Sequence, residues 1–356
     1  MIVNMRRIDV MVFGVMVFGV MVFGLMTGCG GSGGQPSKTT PTVYVFGSVN
    51  TSSSDSYSSY ASYLWINGTP TAFADKEHPN SVFGSKEGIV YIAGHEDTGD
   101  APCATLWKIE GGKTSKIVLS DKHSHCESGF ATEQGDVYVI GHDGEDWAVY
   151  WKVSGTTITK IPLSLTEGIS DYETRSIWVA PNGKVYVAGS EGDFAEGDYN
   201  AVLWIDGEKQ ILPNNRSWSD AYAVYGNSNG DIYVVGEMYS SKVQAVLWKN
   251  NVIQYLAKEA KKSGASAIFV TDNGDVYVGG YVVEDDYEQA VIWKNGVKEY
   301  LPDGKEVKAI YVTQEGDVYA AGFAYEPASG LWKNGVLQPI THNSRKGASL
   351  YSIFVK

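Results

Sequence analysis

The chain has 356 residues, of which 43% are hydrophobic and 19% charged, so it has enough apolar residues for a sizeable core and is not intrinsically disordered. Its 28 Lys and Arg against 41 Asp and Glu give a net charge of −13. This balance argues against nucleic-acid binding, because phosphate recognition needs clustered cations. Three cysteines are too few for a disulfide framework, and no Cys-x-x-Cys pair predicts a zinc knuckle.

The N-terminal segment has the pattern of a secretory signal peptide. Two arginines precede an apolar run over residues 10–26, which ends just before Gly28 and Cys29. This segment resembles the lipobox of bacterial lipoproteins, with the departure that Met26 stands where Leu is usual. The resemblance implies a cleaved signal peptide over residues 1–28 and a lipid on Cys29. A membrane-spanning helix is the alternative, because about 17 apolar residues are marginally long enough to cross a bilayer.

Residues 29–42 are predicted to form the lipidated cysteine and a flexible tether, since Gly, Ser and Pro fill most of residues 30–36. In lipoproteins an Asp directly after the lipidated Cys implies retention in the inner membrane. Gly30 stands there instead. The resemblance therefore implies a chain anchored to the outer membrane or cell surface, with the membrane as the partner of the lipid.

From residue 43 the chain is a sevenfold repeat. The copies are spaced about 46 residues apart, close to the period of propeller blades. Each copy has a strand-like phrase that ends in a glycine, namely Gly47, Gly94, Gly141, Gly189, Gly236, Gly280 and Gly322. Each also has a tryptophan at a matching place, namely Trp65, Trp107, Trp151, Trp204, Trp248, Trp293 and Trp332.

Each copy is predicted to contain four strands, lettered A to D in chain order. In the sixth copy these are residues 267–270, 276–280, 290–293 and 297–301. Asn295-Gly296 between C and D predicts a two-residue hairpin turn, because both positions need a positive φ. Four-stranded units at this period predict an all-β, seven-bladed β-propeller over residues 43–356.

The two ends of the repeat predict how the ring closes. Residues 350–355 have the pattern of an A strand with no B strand after it, whereas Val43 begins a B strand with no A strand before it. The C-terminal strand is therefore expected to complete the first blade, which leaves no open sheet edges between the ends.

The repeats resemble extracellular bacterial propeller repeats with an "LW-x-x-G" phrase, such as the HAF-type repeats, over residues 43–356. The turn Lys333-Asn334-Gly335 after Trp332 is one copy of that phrase. The resemblance implies the fold and no activity. The Trp-Asp dipeptide of WD40 repeats and the Asp box of sialidases are absent.

Strand direction divides the loops between two faces. Because strands alternate in direction, the B–C and D–A connections share one face, here called the top face, and the short A–B and C–D turns share the bottom face. The top connections vary in length and chemistry, so ligand binding is expected there.

Histidines and cysteines map to the top face. Two imidazoles, a thiol and a carboxylate lie close together in residues 122–127. A disulfide between Cys103 and Cys126 is expected, since the envelope is oxidising, although their strands belong to different blades. The alternative for the histidines is that they are loop residues without a ligand. The candidate ligands of a transition metal are His95, His123, His125 and His142.

Aromatic and acidic residues outside the repeat pattern are the candidate ligand-binding residues. Exposed aromatics beside carboxylates suit sugar stacking or a protein hot spot. Packing of each aromatic onto its own blade is the alternative. The acidic loops also admit a divalent cation, although no EF-hand-like string occurs. The candidates are Trp147, Trp218, Tyr199, Tyr239, Tyr287, Asp285 and Asp286.

Motifs of catalysis are missing from the sequence: there is no Gly-x-Ser-x-Gly elbow, Walker loop or dinucleotide fingerprint. The sequence favours a non-enzymatic envelope lipoprotein, without an organic cofactor or a nucleic-acid partner. Its propeller would bind an envelope protein or an extracellular ligand on the top face. The alternative is a glycan-binding or glycan-active propeller, because pairs of carboxylates can flank a glycosidic bond.

Overall fold

The computed structural model describes residues 40–51, 60–144, 146–169, 171–193, 198–326, 329–342 and 347–356. The body, Pro41–Lys356, contains 28 strands in seven antiparallel sheets of four, as predicted. No helix in this part of the chain is long and apolar enough to cross a membrane. The predicted signal peptide, Cys29 and tether residues 30–39 lie outside the described residues.

The strands follow one another in the same order in every blade. The first blade begins with β1 (Val43–Asn50), β2 (Tyr60–Ile66) and β3 (Thr69–Ala72). Blade 2 holds β4 (Glu77–Gly84), β5 (Val90–Asp97), β6 (Pro102–Glu110) and β7 (Lys113–Val118). Blade 3 holds β8 (Ser124–Ala131), β9 (Val137–Asp143), β10 (Asp146–Ser154) and β11 (Thr157–Pro162). Blade 4 holds β12 (Asp171–Val179), β13 (Val185–Asp193), β14 (Asp198–Ile205) and β15 (Glu208–Ile211).

The remaining blades repeat this pattern. Blade 5 holds β16 (Trp218–Gly226), β17 (Ile232–Tyr239), β18 (Val243–Lys249) and β19 (Val252–Tyr255). Blade 6 holds β20 (Lys262–Val270), β21 (Val276–Val283), β22 (Glu288–Lys294) and β23 (Val297–Tyr300). Blade 7 holds β24 (Gly304–Val312), β25 (Val318–Ala324), β26 (Gly330–Lys333) and β27 (Val336–Leu337), and the chain ends with β28 (Ala348–Val355).

Ring closure uses the last strand. β28 pairs antiparallel with β1, with Val355 opposite Val43 and Phe354 opposite Tyr44, so it is the A strand of blade 1. Each A strand also contacts the A strands of both neighbouring blades, β28 contacting β24 and β4. The A strands therefore surround a central channel, and the predicted closure is confirmed.

The C–D hairpins have the backbone that their sequences predict. Asn295 and Gly296 have φ of 50° and 82°, and Asn334 and Gly335 have 49° and 77°. Two consecutive positive φ values define a type I′ turn, whose twist matches that of the flanking strands. The Asn-Gly pairs therefore fix the C–D register locally.

The repeated tryptophans lie in the C strands and are at most 2% exposed. In four blades the indole N–H donates to a backbone carbonyl in the D–A connection that leads into the same blade. This bond satisfies the indole N–H inside the core and ties each connection to its blade. The pairs are Trp65 with Thr341, Trp204 with Ser164, Trp248 with Pro213 and Trp332 with Pro302, at 2.7–2.9 Å.

Every A strand carries a β-bulge opposite the repeat glycine. In blade 3 Gly141 pairs with Cys126 and the register then moves to Ser128, so Glu127 is the extra residue. A Cβ atom at Gly141 would lie 2.0 Å from the carbonyl oxygen of His125, so only glycine fits there. The bulged residues are Asn80, Glu127, Arg175, Tyr222, Ser266, Lys308 and Tyr351.

A ring of aromatic side chains, here called the aromatic layer, packs below the bulges. Each member lies three residues after the bulged residue of its A strand. From Trp178 through Phe354 the neighbouring rings touch, and Tyr225 and Phe269 are 4.9 Å apart between centroids. Six members line a cavity of about 840 Å³ that opens toward the bottom face. The members are Phe83, Phe130, Trp178, Tyr225, Phe269, Tyr311 and Phe354.

Candidate functional site

The bulged residues build a pocket at the top of the central channel. A bulge adds a residue to one strand and redirects its side chain, and here six of the seven bulged residues point toward one cavity of about 470 Å³. We call this cavity the central pocket. It is lined by His125, Glu127, Gly141, His142, Trp147, Tyr172, Glu173, Thr174, Arg175, Tyr222, Ser266, Lys308 and Tyr351.

Charged groups in the central pocket are paired. Glu127 carboxylate oxygen Oε1 lies 3.0 Å from Nε2 of His125, and Arg175 contacts the carboxylate of Glu173. The guanidinium of Arg175 also lies over the ring of Tyr222, 4.7 Å from its centroid. Its Nε is buried without a hydrogen-bond partner among the described residues. Arg175 therefore retains an unused donor.

A second paired group lies on the opposite side of the ring, on blades 6 and 7. Lys308 Nζ donates to Oε1 of Glu306 at 2.8 Å, and the Ser266 hydroxyl donates to the same oxygen at 2.6 Å. Since one oxygen of Glu306 accepts both bonds, the ammonium and the hydroxyl are held side by side. The pocket thus presents cations, carboxylates and hydroxyls together.

A tyrosine network continues behind the pocket wall to a buried carboxyl group. The hydroxyls of Tyr222 and Tyr239 are 3.4 Å apart, and Tyr239 donates to Oε2 of Glu237 at 2.6 Å. Tyr281 donates to the other oxygen at 3.2 Å. Burial raises the pKa of Glu237, although the two tyrosine hydrogen bonds oppose this. Burial and the nearby Glu237 charge raise the pKa of Tyr222 to about 12, so its phenol keeps its proton at neutral pH.

Five histidines form a continuous row across blades 2 and 3. The ring centroids of His78 and His95 are 4.7 Å apart, and those of His95 and His125 are 6.3 Å apart. His125 stacks on His142 at 5.2 Å, and His142 lies 6.3 Å from His123. The sequence placed all five on the top face and named four of them as candidate metal ligands; their order follows from the strand pairing.

Two histidines of the row, His95 and His142, have a lowered pKa and are neutral at neutral pH. Burial lowers the pKa of His142, and the neighbouring His125 and His123 lower it further. Burial, followed by the charge of His78, likewise lowers the pKa of His95. Both ring nitrogens of His142 are buried without a hydrogen bond among the described residues. A neutral imidazole with a free nitrogen can accept a proton or a hydrogen bond from a ligand.

The metal set expected from the sequence is not brought together as one group. Among the described residues, the group of three donor side chains close enough to share an ion is His78, His95 and Asp97. Only His95 belongs to the expected set. His78 and Asp97 could have been found from the register, because His78 lies directly opposite His95 across the β4–β5 hairpin.

The expected disulfide is not formed. Cys103 and Cys126 are both free and buried. The sulfur of Cys103 is turned toward its own B–C connection, 3.7 Å from the carbonyl oxygen of Ala101 and 3.8 Å from the hydroxyl of Thr98. Burial raises the pKa of the Cys126 thiol, which keeps it protonated and unreactive.

Among the predicted aromatics, Trp147 alone lines the central pocket. It is 63% exposed and its indole lies 5.2 Å from the His142 ring. Trp218 is 46% exposed but lies outside the pocket lining. Tyr199 is half-buried and also outside that lining, and Tyr239 belongs to the network around Glu237.

The remaining predicted residues lie on blade 6. Tyr287 is 69% exposed at the edge of an outer groove of about 510 Å³, which also contains Tyr300 and Tyr325. Asp286 has φ of 66° and pairs with Lys261 at 2.8 Å, so its charge is already balanced. Its neighbour Asp285 lines neither the central pocket nor this groove. The structure thus separates these residues from the central pocket.

Sequence reasoning did not single out Arg175, Tyr222 or Ser266. A signal was present: in blades 2 to 7 the bulged residue lies 14 positions before the repeat glycine. Residue type changes in every copy at that position, from Asn to Glu, Arg, Tyr, Ser and Lys, while the flanking strand pattern is retained. Because the residue type varies there while the strand pattern is retained, the fold does not require a particular side chain at this position.

No protein-family model matches the chain, and no curated protein sequence is similar to it. Solved structures do match. A PL25 ulvan lyase bound to -[GlcA(1-4)Rha3S]- is 12% identical, covering 83% of this chain and 89% of that chain, with a TM-score of 0.49. A Dyadobacter fermentans protein of unknown function is 10% identical, covering 73% and 94%, with a TM-score of 0.49. TolB from Acinetobacter baumannii is 10% identical, covering 75% and 65%, with a TM-score of 0.45. At this low sequence identity the similarity concerns the fold alone and does not identify a ligand.

Proposed function

We propose that the propeller is the carbohydrate-binding body of a lipid-anchored bacterial envelope protein, and that the sugar chain binds in the central pocket. The observation that carries the proposal is the lining of this pocket. Bulged residues from six blades, together with Trp147, bring paired charges, hydroxyls and an exposed indole into one cavity of about 470 Å³. This volume is in the usual range of ligand sites.

Sugars suit this lining for two physical reasons. Their hydroxyl groups donate and accept hydrogen bonds at once, so they are satisfied by carboxylates paired with Arg or Lys, such as Glu173 with Arg175. Their apolar ring faces stack on an exposed aromatic such as Trp147. A globular protein partner would instead need about 800 Å² of contact area on this chain. A concave pocket is therefore a better fit to an extended sugar chain than to a folded partner.

The test is binding of the full-length chain, purified in detergent, to a panel of neutral and uronate-containing polysaccharides by calorimetry. Trp147→Ala is the informative variant and Trp218→Ala the matched control, because both indoles are exposed and only Trp147 lines the pocket. We expect Trp147→Ala to weaken binding at least tenfold, since base or sugar stacking on an aromatic contributes about 1–3 kcal/mol, and Trp218→Ala to change it less than twofold.

Two outcomes contradict the proposal. One is the absence of binding to every polysaccharide in the panel. The other is equal loss of binding in both tryptophan variants, which would place the ligand elsewhere on the top face. If photo-crosslinking at Trp218 in living cells then captured a discrete protein, absent with the probe at Asn295 on the bottom face, an envelope-protein partner would replace the sugar.

A second candidate function is cleavage of a uronate-containing polysaccharide by β-elimination. The specific observation is that His142, whose pKa is lowered by burial, Arg175 and the protonated Tyr222 all line this pocket. His142 would take the proton from the carbon next to the carboxylate, whose charge Arg175 would neutralise. A carbon–carbon double bond forms, the bond to the leaving sugar oxygen breaks, and Tyr222 would supply the proton to that oxygen.

Release of an unsaturated uronate, followed by its near-ultraviolet absorbance, tests this activity. His142→Ala should abolish the product while sugar binding stays within about threefold, because the imidazole acts on the reacting carbon rather than on the rest of the chain. A wild-type chain that binds the polysaccharide but never forms the unsaturated product would limit the function to binding.

The lipid anchor is a separate proposal that rests on the lipobox-like sequence before Cys29. Metabolic labelling with an alkyne fatty acid should mark the wild-type chain in bacterial cells and leave Cys29→Ser unlabelled. Labelling that persists in Cys29→Ser would place the lipid on another residue and contradict the anchor.

A further inference from the structure

Three metal-ligating side chains lie on one face of the β4–β5 hairpin. His78 of β4 is directly opposite His95 of β5, and Asp97 follows His95 by two positions. Because side chains alternate between the two faces of a strand, His95 and Asp97 project to the same side, and the directly opposed His78 joins them. The local register of one hairpin therefore assembles two imidazoles and a carboxylate.

Their donor atoms are close to coordination distance. The Nε2 atom of His78 is 3.1 Å from Oδ2 of Asp97, and one donor atom from each residue lies within 4.8 Å of the others. Ligands of a tetrahedral ion at 2.0–2.1 Å are about 3.3 Å apart. The His78–Asp97 pair already meets that spacing, and a ring nitrogen of His95 lies within 4.8 Å of both.

The contact between His78 and Asp97 contributes little to the stability of the fold. His78 and Asp97 are 43% and 53% exposed in their side chains, so the hydrogen bond between them adds little to stability. The Nδ1 atom of His95 is buried without a hydrogen-bond partner among the described residues, which is a cost to the apoprotein. A bound cation would give the imidazole of His95 the partner that the fold does not supply.

The neighbouring lysine does not compete for Asp97. Lys116 pairs with Glu77 at 2.8 Å and with Glu96 at 2.9 Å. These two glutamates are opposite each other in the hairpin, on the face away from the histidines. The carboxylate of Asp97 is therefore not shared with Lys116 and contacts His78.

We propose that His78, His95 and Asp97 bind one zinc ion on the top face of blade 2, with the fourth position open to water or a ligand. Imidazole nitrogen with a single carboxylate oxygen is a donor set that Zn²⁺ accepts readily, whereas Ca²⁺ and Mg²⁺ prefer oxygen ligands throughout. None of the three residues lines the central pocket. The zinc site and the central pocket therefore use different side chains, although His95 neighbours His125 of the pocket lining.

The experiment uses the full-length chain without an affinity tag, stripped with a chelator and titrated with ZnCl₂ against a chromophoric chelator. We expect one equivalent of zinc per chain and at least a tenfold loss of affinity in His95→Gln and in Asp97→Asn. His342→Gln is the matched control, since it removes an imidazole from the D–A connection before β28, outside the group of three donor residues; its affinity should stay within twofold.

Cobalt gives a second readout that does not depend on affinity. Co²⁺ bound at a site with four ligands absorbs strongly in the visible range, and this band should disappear in Asp97→Asn, whose exposed side chain leaves the fold intact. Absence of stoichiometric zinc binding overturns the proposal. So does zinc binding that survives both Asp97→Asn and His95→Gln, or that is lost in His342→Gln instead.

Discussion

The guanidinium of Arg175 lies over the ring of Tyr222, with 4.7 Å between Cζ and the ring centroid. Both are bulged residues, one from blade 4 and the other from blade 5, so the contact crosses a blade boundary at the top of the channel. Stacking holds the planar guanidinium in place, and its Nε is buried without a hydrogen-bond partner among the described residues. Arg175 is therefore a cation held in a fixed position in the lining of the central pocket.

Replacing Arg175 should therefore weaken sugar binding more than it weakens the fold. We expect Arg175→Ala to reduce affinity at least tenfold and Arg175→Lys about threefold or more, because an ammonium cannot stack or form the planar fork. The free energy of unfolding should fall by less than about 1 kcal/mol, since the Arg175–Glu173 pair is a third to a half exposed. Calorimetry and urea unfolding measure the two effects. Arg216→Ala, on an exposed loop outside the pocket, is the control; an equal loss of affinity there would contradict the role of Arg175.

The repeated tryptophans offer a matched pair for measuring one hydrogen bond. Trp248 donates to the carbonyl oxygen of Pro213 at 2.8 Å, whereas Nε1 of Trp293, equally buried, has no partner among the described residues. Phe in either place removes a similar volume, but only Trp248→Phe leaves a carbonyl without its donor. We expect Trp248→Phe to lower the free energy of unfolding by about 1–2 kcal/mol more than Trp293→Phe. Equal losses in chemical denaturation would show that the bond makes no net contribution.

The carboxyl group of Glu237 should make stability depend on pH. Its pKa is raised above the ordinary value of 4.5, mainly by burial and also by Glu306, while Tyr239, Tyr281 and Lys262 oppose the shift. Since the folded state binds this proton more tightly than the unfolded chain, the stabilising contribution is fully present below pH 4.5 and is lost as the pH rises through the raised pKa.

Glu237→Gln keeps a neutral side chain of the same shape at every pH. The variant should therefore gain stability relative to the wild type as the pH rises from 4 to 8, and thermal unfolding across that range measures the difference. A difference that stays constant, or that changes in the opposite direction, would show that Glu237 is ionised in the fold with an ordinary or lowered pKa.

The aromatic layer predicts a strict requirement for glycine before Phe130. A Cβ atom at Gly129 would lie 2.3 Å from Cζ of Phe83, in the neighbouring blade. We expect Gly129→Ala to cost about 1–3 kcal/mol through overpacking. In a Phe83→Leu background the same change should cost less than half as much, because the shorter side chain leaves room. Additive costs in the double-mutant cycle would contradict this contact.

The sequence by itself determined the architecture. Asn295-Gly296 forms a tight turn from its own two residues, and the strand pattern before Gly280 is equally local. A buried tryptophan, Trp293 in the sixth copy, stands at the same place in every copy. These signals act within a few residues, so repetition alone predicted seven four-stranded blades and the closure by β28. The pairing of Val355 with Val43 confirms the closure.

Only the tertiary structure decided which side chains meet. Arg175, Tyr222 and Lys308 are 47 to 133 residues apart in the chain, and they share a pocket because ring closure brings the seven A strands around one channel and the bulge turns one residue of each into it. Likewise, the expected pairing of Cys103 with Cys126 depended on the direction of each sulfur, which strand order does not give. A repeat fixes the backbone frame locally, whereas the site arises from one variable position per blade that only the closed ring assembles.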